Sequence, residues 1–289
     1  MGEGKQIQWF PGHMAKTRRI MRENLKYVDV VIEIRDARIP KSSSNPEISS
    51  LLSNKPRIII LNKADNADRN ITKKWIEYYK TKGITAIEAD CRSGKGLNAL
   101  MPAVRETLKE LLERRAQRGM DGMSIRMMVV GIPNVGKSSF INRLAKSRRT
   151  KVEDRPGVTR GKQWVTIDGG VELLDMPGVL WPKFEDKRVG EFLAFTGAVK
   201  DDILDVEYLA VRLLDVLRDR YFDRLSARYG IDAESTEHLD SYDLLGEIGR
   251  KRGMLMAGGV VNTERMANTL LNEFRSGAMG NMSLEFPND

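Results

Sequence analysis

The order of two short motifs constrains this chain more than any other feature. Asn62-Lys63-Ala64-Asp65 follows an apolar run at 58–61, and Gly131-Ile-Pro-Asn-Val-Gly-Lys-Ser138 follows a later apolar run at 125–130. The later segment has the spacing of a loop that wraps phosphates. The earlier tetrapeptide is the one with which GTPases recognise guanine, and in an ordinary GTPase it comes second. The reversed order predicts a circularly permuted GTPase domain. With the five GTPase motifs labelled G1 (the phosphate loop) to G5 and the guanine tetrapeptide as G4, the predicted order is G4-G5-G1-G2-G3.

Charge is distributed unevenly along the chain. Residues 1–200 contain 38 lysines and arginines against 23 acidic residues, a net charge of +15, whereas residues 201–289 contain 10 against 17, a net charge of −7. Basic residues concentrate at 5–26 and at 146–162. Such a surface attracts a polyanion such as RNA through phosphate neutralisation and counterion release. A solvated, highly charged surface is the alternative if charge alone is considered.

The chain of 289 residues exceeds one typical domain and predicts two. We expect an α/β fold in which a circularly permuted P-loop GTPase domain, with a basic N-terminal segment, occupies residues 1–200. A small all-α domain is expected at 201–289, where apolar residues recur at helical spacing from Val206 onward. The single cysteine, Cys91, and the absence of a signal-peptide or membrane-spanning pattern predict a soluble protein of the reducing cytoplasm.

Six strands are predicted for the first domain. Apolar, β-branched runs at 28–34, 57–61, 84–88 and 125–131 alternate with helix-length segments, as in parallel βαβ units. Runs at 164–167 and 171–175 are joined by Asp168-Gly169-Gly170, which indicates a hairpin. The sheet is therefore mostly parallel, and its strands in chain order are predicted to be strands 5, 6, 4, 1, 2 and 3 of the usual GTPase sheet. A single helix is expected over 97–118, followed by the linker Gly119–Gly122.

The phosphate loop supplies most of the predicted nucleotide contacts. Backbone N–H groups would wrap the phosphates, Lys137 would reach the β and γ oxygens, and Ser138 would give its hydroxyl to Mg²⁺. Asp175, in Asp175-Met-Pro-Gly178, stands where the Mg²⁺-associated aspartate is expected, and Gly178 is placed to donate its N–H to the γ-phosphate. Thr159 is the candidate switch residue for the Mg²⁺ shell, with an ordinary loop threonine as the alternative. The further loop residues predicted to bind GTP are Asn134, Val135, Gly136 and Ser139.

Guanine selectivity is assigned to the earlier motif. The carboxylate of Asp65 can accept two hydrogen bonds from the guanine edge, which adenine cannot offer. Asn62 is expected to tie the base site to the phosphate loop, and the Lys63 stem to cover one face of the ring. Asp90 and Cys91, after the next predicted strand, fall where a backbone N–H usually meets the guanine oxygen, although the common Ser-Ala pair is missing there.

Two departures concern hydrolysis. Val179 stands where many GTPases carry the glutamine that orients the attacking water, so the hydrolytic group must come from elsewhere in the chain, from a partner or from an ion. Asn134 indicates one route, because GTPases with asparagine at this loop position commonly bind K⁺ beside the phosphates. The alternative for Asn134 is a loop residue that hydrogen-bonds its own backbone.

With these residues established, the chain resembles the YlqF/RbgA family, circularly permuted bacterial GTPases that help to mature the large ribosomal subunit. Beyond the nucleotide motifs, the resemblance rests on Gln8-Trp-Phe-Pro-Gly-His-Met-Ala-Lys16, Arg35-Asp-Ala-Arg-Ile-Pro40, Pro156–Gly161 and Gly246–Arg252. It covers essentially the whole length. It implies a GTP/GDP-binding enzyme whose partners are the large-subunit precursor, its 23S rRNA and ribosomal proteins. Mg²⁺ and K⁺ are expected from the loop residues named above, and a monomer is the default expectation because the sequence leaves the oligomeric state open.

The resemblance also implies a catalytic role for His13, with Lys137, Thr159 and Gly178 completing the catalytic group. An imidazole can orient or polarise a water, which Val179 cannot. The alternative is a structural histidine packed against Trp9 and Phe10.

Two functions fit these motifs. The first is an enzyme that acts as a timer, docking on an immature large subunit with GTP and leaving after hydrolysis. The second is an RNA scaffold that senses nucleotide but hydrolyses little of it. Intact Lys137, Ser138, Thr159 and Asp175 favour the enzyme. A GTPase that acts on another RNA or at a membrane fits the nucleotide motifs equally well, but leaves Trp9–Met14 unexplained.

Overall fold

The computed structural model describes residues 12–52, 55–147, 164–167, 170–178, 180, 184, 186–199 and 205–288, with only the backbone described at 12–15 and 146–147. The described residues fall into two compact units. The first contains the described residues up to 180 together with 285–288, and the second contains residues 184–284. No helix among the described residues is both long and apolar enough to cross a membrane.

A six-stranded sheet forms the first unit. Its strands are β1 (Val30–Asp36), β2 (Arg57–Asn62), β3 (Thr85–Glu88), β4 (Ile125–Val130), β5 (Trp164–Ile167) and β6 (Val171–Asp175), in the order β3-β2-β1-β4-β6-β5. All pairs are parallel except β5 with β6. Every residue of β1 is buried, as expected for a central strand of a parallel sheet with both faces covered. The predicted mostly parallel α/β sheet is confirmed.

Eleven α-helices lie among the described residues. In the first unit they are α1 (Gly12–Leu25), α2 (Pro46–Leu51), α3 (Arg69–Thr81), α4 (Leu100–Thr107), α5 (Lys109–Gln117) and α6 (Lys137–Ser147). In the second unit they are α7 (Lys187–Phe195), α8 (Val206–Tyr229), α9 (Ala233–Thr236), α10 (Ser241–Lys251) and α11 (Thr263–Ser276).

Two sequence predictions are corrected by these elements. The helix expected over 97–118 is interrupted, because Leu108 leaves helical geometry with φ −103° and ψ 12°, and α4 and α5 lie on either side of it. The strand correspondence was also wrong, since it placed the third strand beside the phosphate-loop strand. In the structure β1 pairs with β4, and β2 and β3 follow outward. The connections from β1 to β2 and from β2 to β3 thus join adjacent strands.

The core of the first unit lies on the two faces of the sheet. On one face α1 contributes Met21 to a buried cluster that includes Val31, Leu174 and Met176. On the other, α3 contributes Trp75 and Tyr79, which pack with Ile59 and Leu61 of β2. The two faces fix the strands from both sides and leave the strand ends free to carry loops.

The second unit is all helical, as the sequence predicted for its C-terminal region. Helix α8 ends at Gly230, which adopts φ +67°, and packs against α10 and α11. Glu273 of α11 accepts hydrogen bonds from Arg228 and Tyr229 of α8, at 2.6 and 2.8 Å. Helix α7 contacts α8 and so belongs to this unit. The boundary at residue 200 stays a prediction about which parts of the chain fold independently.

The last residues return to the first unit. The buried carboxylate of Glu285 accepts hydrogen bonds from the N–H groups of Lys41 and Ser42, at 2.6 and 3.0 Å, and from the Ser42 hydroxyl. Trp75 donates its indole N–H to the Glu285 carbonyl at 3.1 Å, and Phe286 packs on the cluster around α3. The sequence did not predict that this tail would leave the helical unit.

Candidate functional site

The parallel sheet brings four loops to one edge. Strands β1, β2, β3, β4 and β6 run in the same direction, so the segments that follow them leave from the same side. In open α/β sheets this carboxyl edge is where ligands bind. The loops after β4 and β6 carry the predicted phosphate and Mg²⁺ residues, and the loops after β2 and β3 carry the predicted guanine residues.

The phosphate loop requires glycine at two points. Gly131 and Gly136 have φ of +152° and +103°. A side chain at Gly131 would start 2.6 Å from the Ile34 carbonyl oxygen, and one at Gly136 would start 2.2 Å from the Asn62 amide nitrogen. Asn134 adopts a left-handed φ of 55° between them, and Val135 is buried. Because α6 begins at Lys137, the loop ends at a helix N-terminus, which favours an anion.

Lys137 lies in a partly desolvated position between the phosphate loop and the end of β6. Its ammonium donates to the Ile132 carbonyl at 2.9 Å. Burial lowers the Lys137 pKa to about 8, and the opposing effect of Asp175 is smaller. Burial likewise raises the pKa of Asp175, against the effect of Lys137. A phosphate placed here would restore the full positive charge of Lys137 and be bound by it.

Gly178 is confined by the same lysine. A side chain at Gly178 would start 2.6 Å from the Lys137 ammonium nitrogen and 3.0 Å from the Pro133 backbone. A Cβ at this position would force the Lys137 ammonium aside and press on the phosphate loop at Pro133. The predicted pairing of Lys137 and Gly178 in one site therefore has a steric basis.

Asn62 connects three loops through its amide. It donates to the Val135 carbonyl at 2.7 Å, and its side-chain oxygen accepts from the Cys91 N–H at 2.9 Å. Asn62 is 3% exposed, so both hydrogen bonds are shielded from water. The last residue of β2 thus holds the phosphate loop and the loop after β3 in fixed positions.

The other two residues of the guanine motif have different environments. Lys63 adopts φ 60° and its ammonium lies 3.0 Å from the buried carboxylate of Asp36. Asp65 is exposed, with its carboxylate 3.7 Å from the guanidinium of Arg92. Arg92 is mostly exposed, so this ion pair is weak and leaves the carboxylate accessible. Asp65 can therefore accept hydrogen bonds from a ligand.

The loop after β3 has few backbone donors to offer. The Asp90 N–H donates to the Lys95 carbonyl, and the Cys91 N–H donates to Asn62. Burial acts to raise the Asp90 pKa, but hydrogen bonds from Ser93 and the Arg92 N–H lower it overall. Burial raises the pKa of the Cys91 thiol to about 12, so this thiol stays protonated. Asp90 and Cys91 lie beside the base site, but their N–H groups are already used within the protein.

The residues present suit a magnesium ion. Ser138 and Ser139 are exposed at the start of α6, and Asp175 is exposed at the end of β6, the parallel neighbour of β4. A hydroxyl and a carboxylate are the hard oxygen ligands that Mg²⁺ prefers, and phosphate oxygens complete such sites. Ser138 and Asp175 could therefore hold Mg²⁺ together with a bound nucleotide.

Several predicted site residues lie outside the described residues. Thr159 and Val179 are among them, as is the basic segment from 148 to 163. His13 lies in the first turn of α1, and its side chain is likewise outside the description.

Sequence reasoning missed three residues of the site. Asp36 and Arg38 were recognised only as part of a family motif, and Arg92 was not singled out. The signal for Asp36 was an acidic residue at the end of an apolar strand whose neighbour carries the guanine motif. The signal for Arg92 was its place directly after Asp90 and Cys91.

Comparison with known proteins gives the family. Residues 126–234 match the family model described as 50S ribosome-binding GTPase. The chain is 48% identical to ribosome biogenesis GTPase A of Bacillus licheniformis, over 98% of this chain and 99% of that protein. A GDP-bound structure of YlqF has a TM-score of 0.66 at 30% identity, covering 94% of this chain and 100% of that chain. The GNP-bound YlqF from T. maritima has a TM-score of 0.63 at 30% identity, covering 95% and 99%.

The family model and these relatives agree with the geometry at the sheet edge. The matched segment begins in β4, the strand that leads directly into the phosphate loop. The guanine motif lies upstream of this segment, as a permuted chain requires. The chain belongs to the ribosome biogenesis GTPase A family, the YlqF/RbgA family that its motifs resemble.

Proposed function

We propose that this GTPase promotes late maturation of the large ribosomal subunit, binding its precursor in the GTP state and leaving after hydrolysis. The observation that carries the proposal is the Asn62 amide, which joins the guanine motif to the phosphate loop in spite of their reversed order. Phosphate-loop and guanine-motif residues joined in one place on a permuted chain support a timed enzyme over a passive scaffold.

The proposed partner is the precursor's 23S rRNA together with ribosomal proteins. The matching family model is described as a 50S ribosome-binding GTPase. On this chain, α1 exposes Lys16, Arg19 and Arg22, and Lys26 is exposed just after the helix, while Met21 anchors α1 in the core of the nucleotide unit. A helix with one face in that core and with exposed cations along and just beyond it suits an RNA backbone.

For hydrolysis we assign a role to each group. Lys137 neutralises charge on the β and γ oxygens, and the Gly178 N–H binds the γ-phosphate. Ser138 and Asp175, with Thr159, would hold Mg²⁺, which would supply positive charge to neutralise the phosphates. His13 positions the attacking water. His13 belongs to α1, and Met21 of this helix shares a core cluster with Met176, the residue after Asp175.

A potassium ion is the proposed second cation. Asn134 is exposed in the phosphate loop and has a left-handed φ of 55°, whereas the neighbouring Val135 is buried. An ion beside the β and γ phosphates supplies the positive charge that other GTPases take from an arginine. Exchange of K⁺ for Na⁺ at equal ionic strength should therefore lower turnover but leave GDP affinity nearly unchanged. Equal turnover in both salts would rule out the proposed potassium site.

Sedimentation tests the proposed cycle. The protein is incubated with large-subunit precursors in the presence of a non-hydrolysable GTP analogue, GDP or no nucleotide, and is then pelleted through sucrose. We expect co-sedimentation with the analogue and release with GDP. Mature small subunits serve as the RNA-containing control. Equal binding in all nucleotide states would support the scaffold function instead.

His13→Ala tests the assigned catalytic group. The variant should bind GTP as the parent does and lose most of its subunit-stimulated turnover, since the imidazole acts only on the water. His238→Ala is the matched control, because the chain has two histidines and His238 lies in the helical unit. Unchanged turnover in the first variant would remove His13 from the mechanism.

A further inference from the structure

The ammonium group of Lys63 forms an ion pair with the buried carboxylate of Asp36. Asp36 is 2% exposed, and its Oδ2 atom lies 3.0 Å from Lys63 Nζ. The two residues come from neighbouring strands, since Asp36 ends β1 opposite Asn62, the residue before Lys63. The Lys63 side chain is therefore restrained at its backbone, which has a left-handed φ of 60°, and at its ammonium group.

Asp36 is itself held rigidly. Arg38 donates to both of its oxygens, at 2.9 and 2.8 Å, and the Arg38 N–H donates to Oδ1 at 3.0 Å. The Asp36 N–H donates to the Ser43 hydroxyl at 3.1 Å. Burial acts to raise the Asp36 pKa, but Arg38 and Lys63 lower it overall, so the carboxylate is ionised. Its position and charge are therefore set before any ligand arrives.

The identity of the second cation distinguishes Asp36 from other buried carboxylates of β1. Arg38, which is 1% exposed, pairs with Asp36 inside the protein. Glu33 of the same strand also pairs with two cations, Arg35 and Arg57, but neither belongs to the guanine motif. The second cation of Asp36 comes from the guanine motif, and its side chain is 25% exposed at the site edge. The Lys63 stem is thus accessible while its charged end is bound.

We propose that Asp36 is a positioning residue for guanine nucleotides, holding the Lys63 ammonium so that the Lys63 stem lies ready to cover one face of the base. The proposal rests on the nucleotide site assigned above. Fixing the side chain in advance removes the entropy that an unrestrained lysine would lose on binding.

The test is a double-mutant cycle on the affinity for GDP. The variants are Asp36→Asn, Lys63→Met and the two combined, in the full-length protein. We expect each single variant to raise the Kd for GDP about tenfold, and the combined variant to match Lys63→Met alone. The parent protein, which keeps both Asp36 and Lys63, is the fourth member of the cycle.

Glu33→Gln provides the matched control. Glu33 is also a buried β1 carboxylate, at 2% exposed, and it pairs with Arg35 and Arg57 rather than with the guanine motif. Its loss should lower stability but leave the Kd for GDP unchanged. If Asp36→Asn does not fold, Asp36→Asn with Arg38→Met removes the unpaired buried cation and gives the same test.

Each outcome has a separate meaning. If Lys63→Met leaves the Kd unchanged, the assigned guanine site is wrong, and the proposal fails with it. If Lys63→Met weakens GDP binding while Asp36→Asn does not, or if the two effects add, the site is right and the positioning role of Asp36 is overturned.

Discussion

Replacement of Asn62 by alanine should separate the two halves of the nucleotide site. The variant loses the hydrogen bond to the Val135 carbonyl, at 2.7 Å, and the one from the Cys91 N–H, at 2.9 Å. Both groups are then left without a partner in a region that is closed to water, since Asn62 is 3% exposed. A buried polar group left unsatisfied costs about 1–3 kcal/mol, so the pair costs about 2–4 kcal/mol after partial relaxation.

That cost can appear in two measurements. If the loops stay in place, the free energy of unfolding falls by the full amount, and the melting temperature falls by about 4–16 °C. If the loops separate instead, nucleotide binding must bring them together again. The Kd for GDP then rises about tenfold for each 1.4 kcal/mol so used. Titration calorimetry with GDP measures the part lost from binding, and thermal unfolding without GDP measures the part lost from stability. The two parts should add up to about 2–4 kcal/mol.

Asn70→Ala is the control for this variant. Asn70 is an exposed asparagine in the first turn of α3, and its backbone N–H donates to the Asp68 carboxylate, a hydrogen bond that alanine keeps. Both measurements should stay near the parent values. If Asn62→Ala keeps the GDP affinity and the melting temperature of the parent, the bridging role of Asn62 is wrong.

Other predictions concern the base, the lysine and the tail. Asp65→Asn should change the preference from GDP to XDP by about tenfold or more, because an amide can donate to xanthine; an unchanged preference in competition titrations would place the base elsewhere. Because the Lys137 pKa is about 8 in the free protein and phosphate raises it, the Kd for GDP should rise about tenfold between pH 7 and pH 9, and a flat profile would contradict the assigned contact. Glu285→Ala leaves the N–H groups of Lys41 and Ser42 without their acceptor, and calorimetry should show the melting temperature lowered by about 4–10 °C.

Much of the site was predictable because its residues are local in sequence. The phosphate loop, the guanine tetrapeptide and Asp175-Met-Pro-Gly178 each follow an apolar run, and strand ends of a parallel sheet meet at one edge. The structure adds the spacing that Gly136 and Gly178 require beside Asn62 and Lys137. These contacts agree with the prediction made from motif order.

Contacts between distant segments were not predictable in the same way. Asp36 meets Lys63, and Glu285 meets Ser42, only because the chain folds back on itself. No periodicity marks such a pair, and a buried acidic residue resembles a surface one in sequence. The interruption at Leu108 was missed for a related reason, since the residues on both sides favour helix and only the packed chain shows the break.

The most direct measurement is GTP hydrolysis by the purified protein in potassium buffer, with and without isolated large ribosomal subunits. Alone, turnover should be slow, on the order of 10⁻⁴ to 10⁻² s⁻¹, because Val179 replaces the water-orienting glutamine. Large subunits should accelerate it, and small subunits should not. Normal GTP binding without acceleration by large subunits would contradict the proposal that this GTPase times large-subunit maturation.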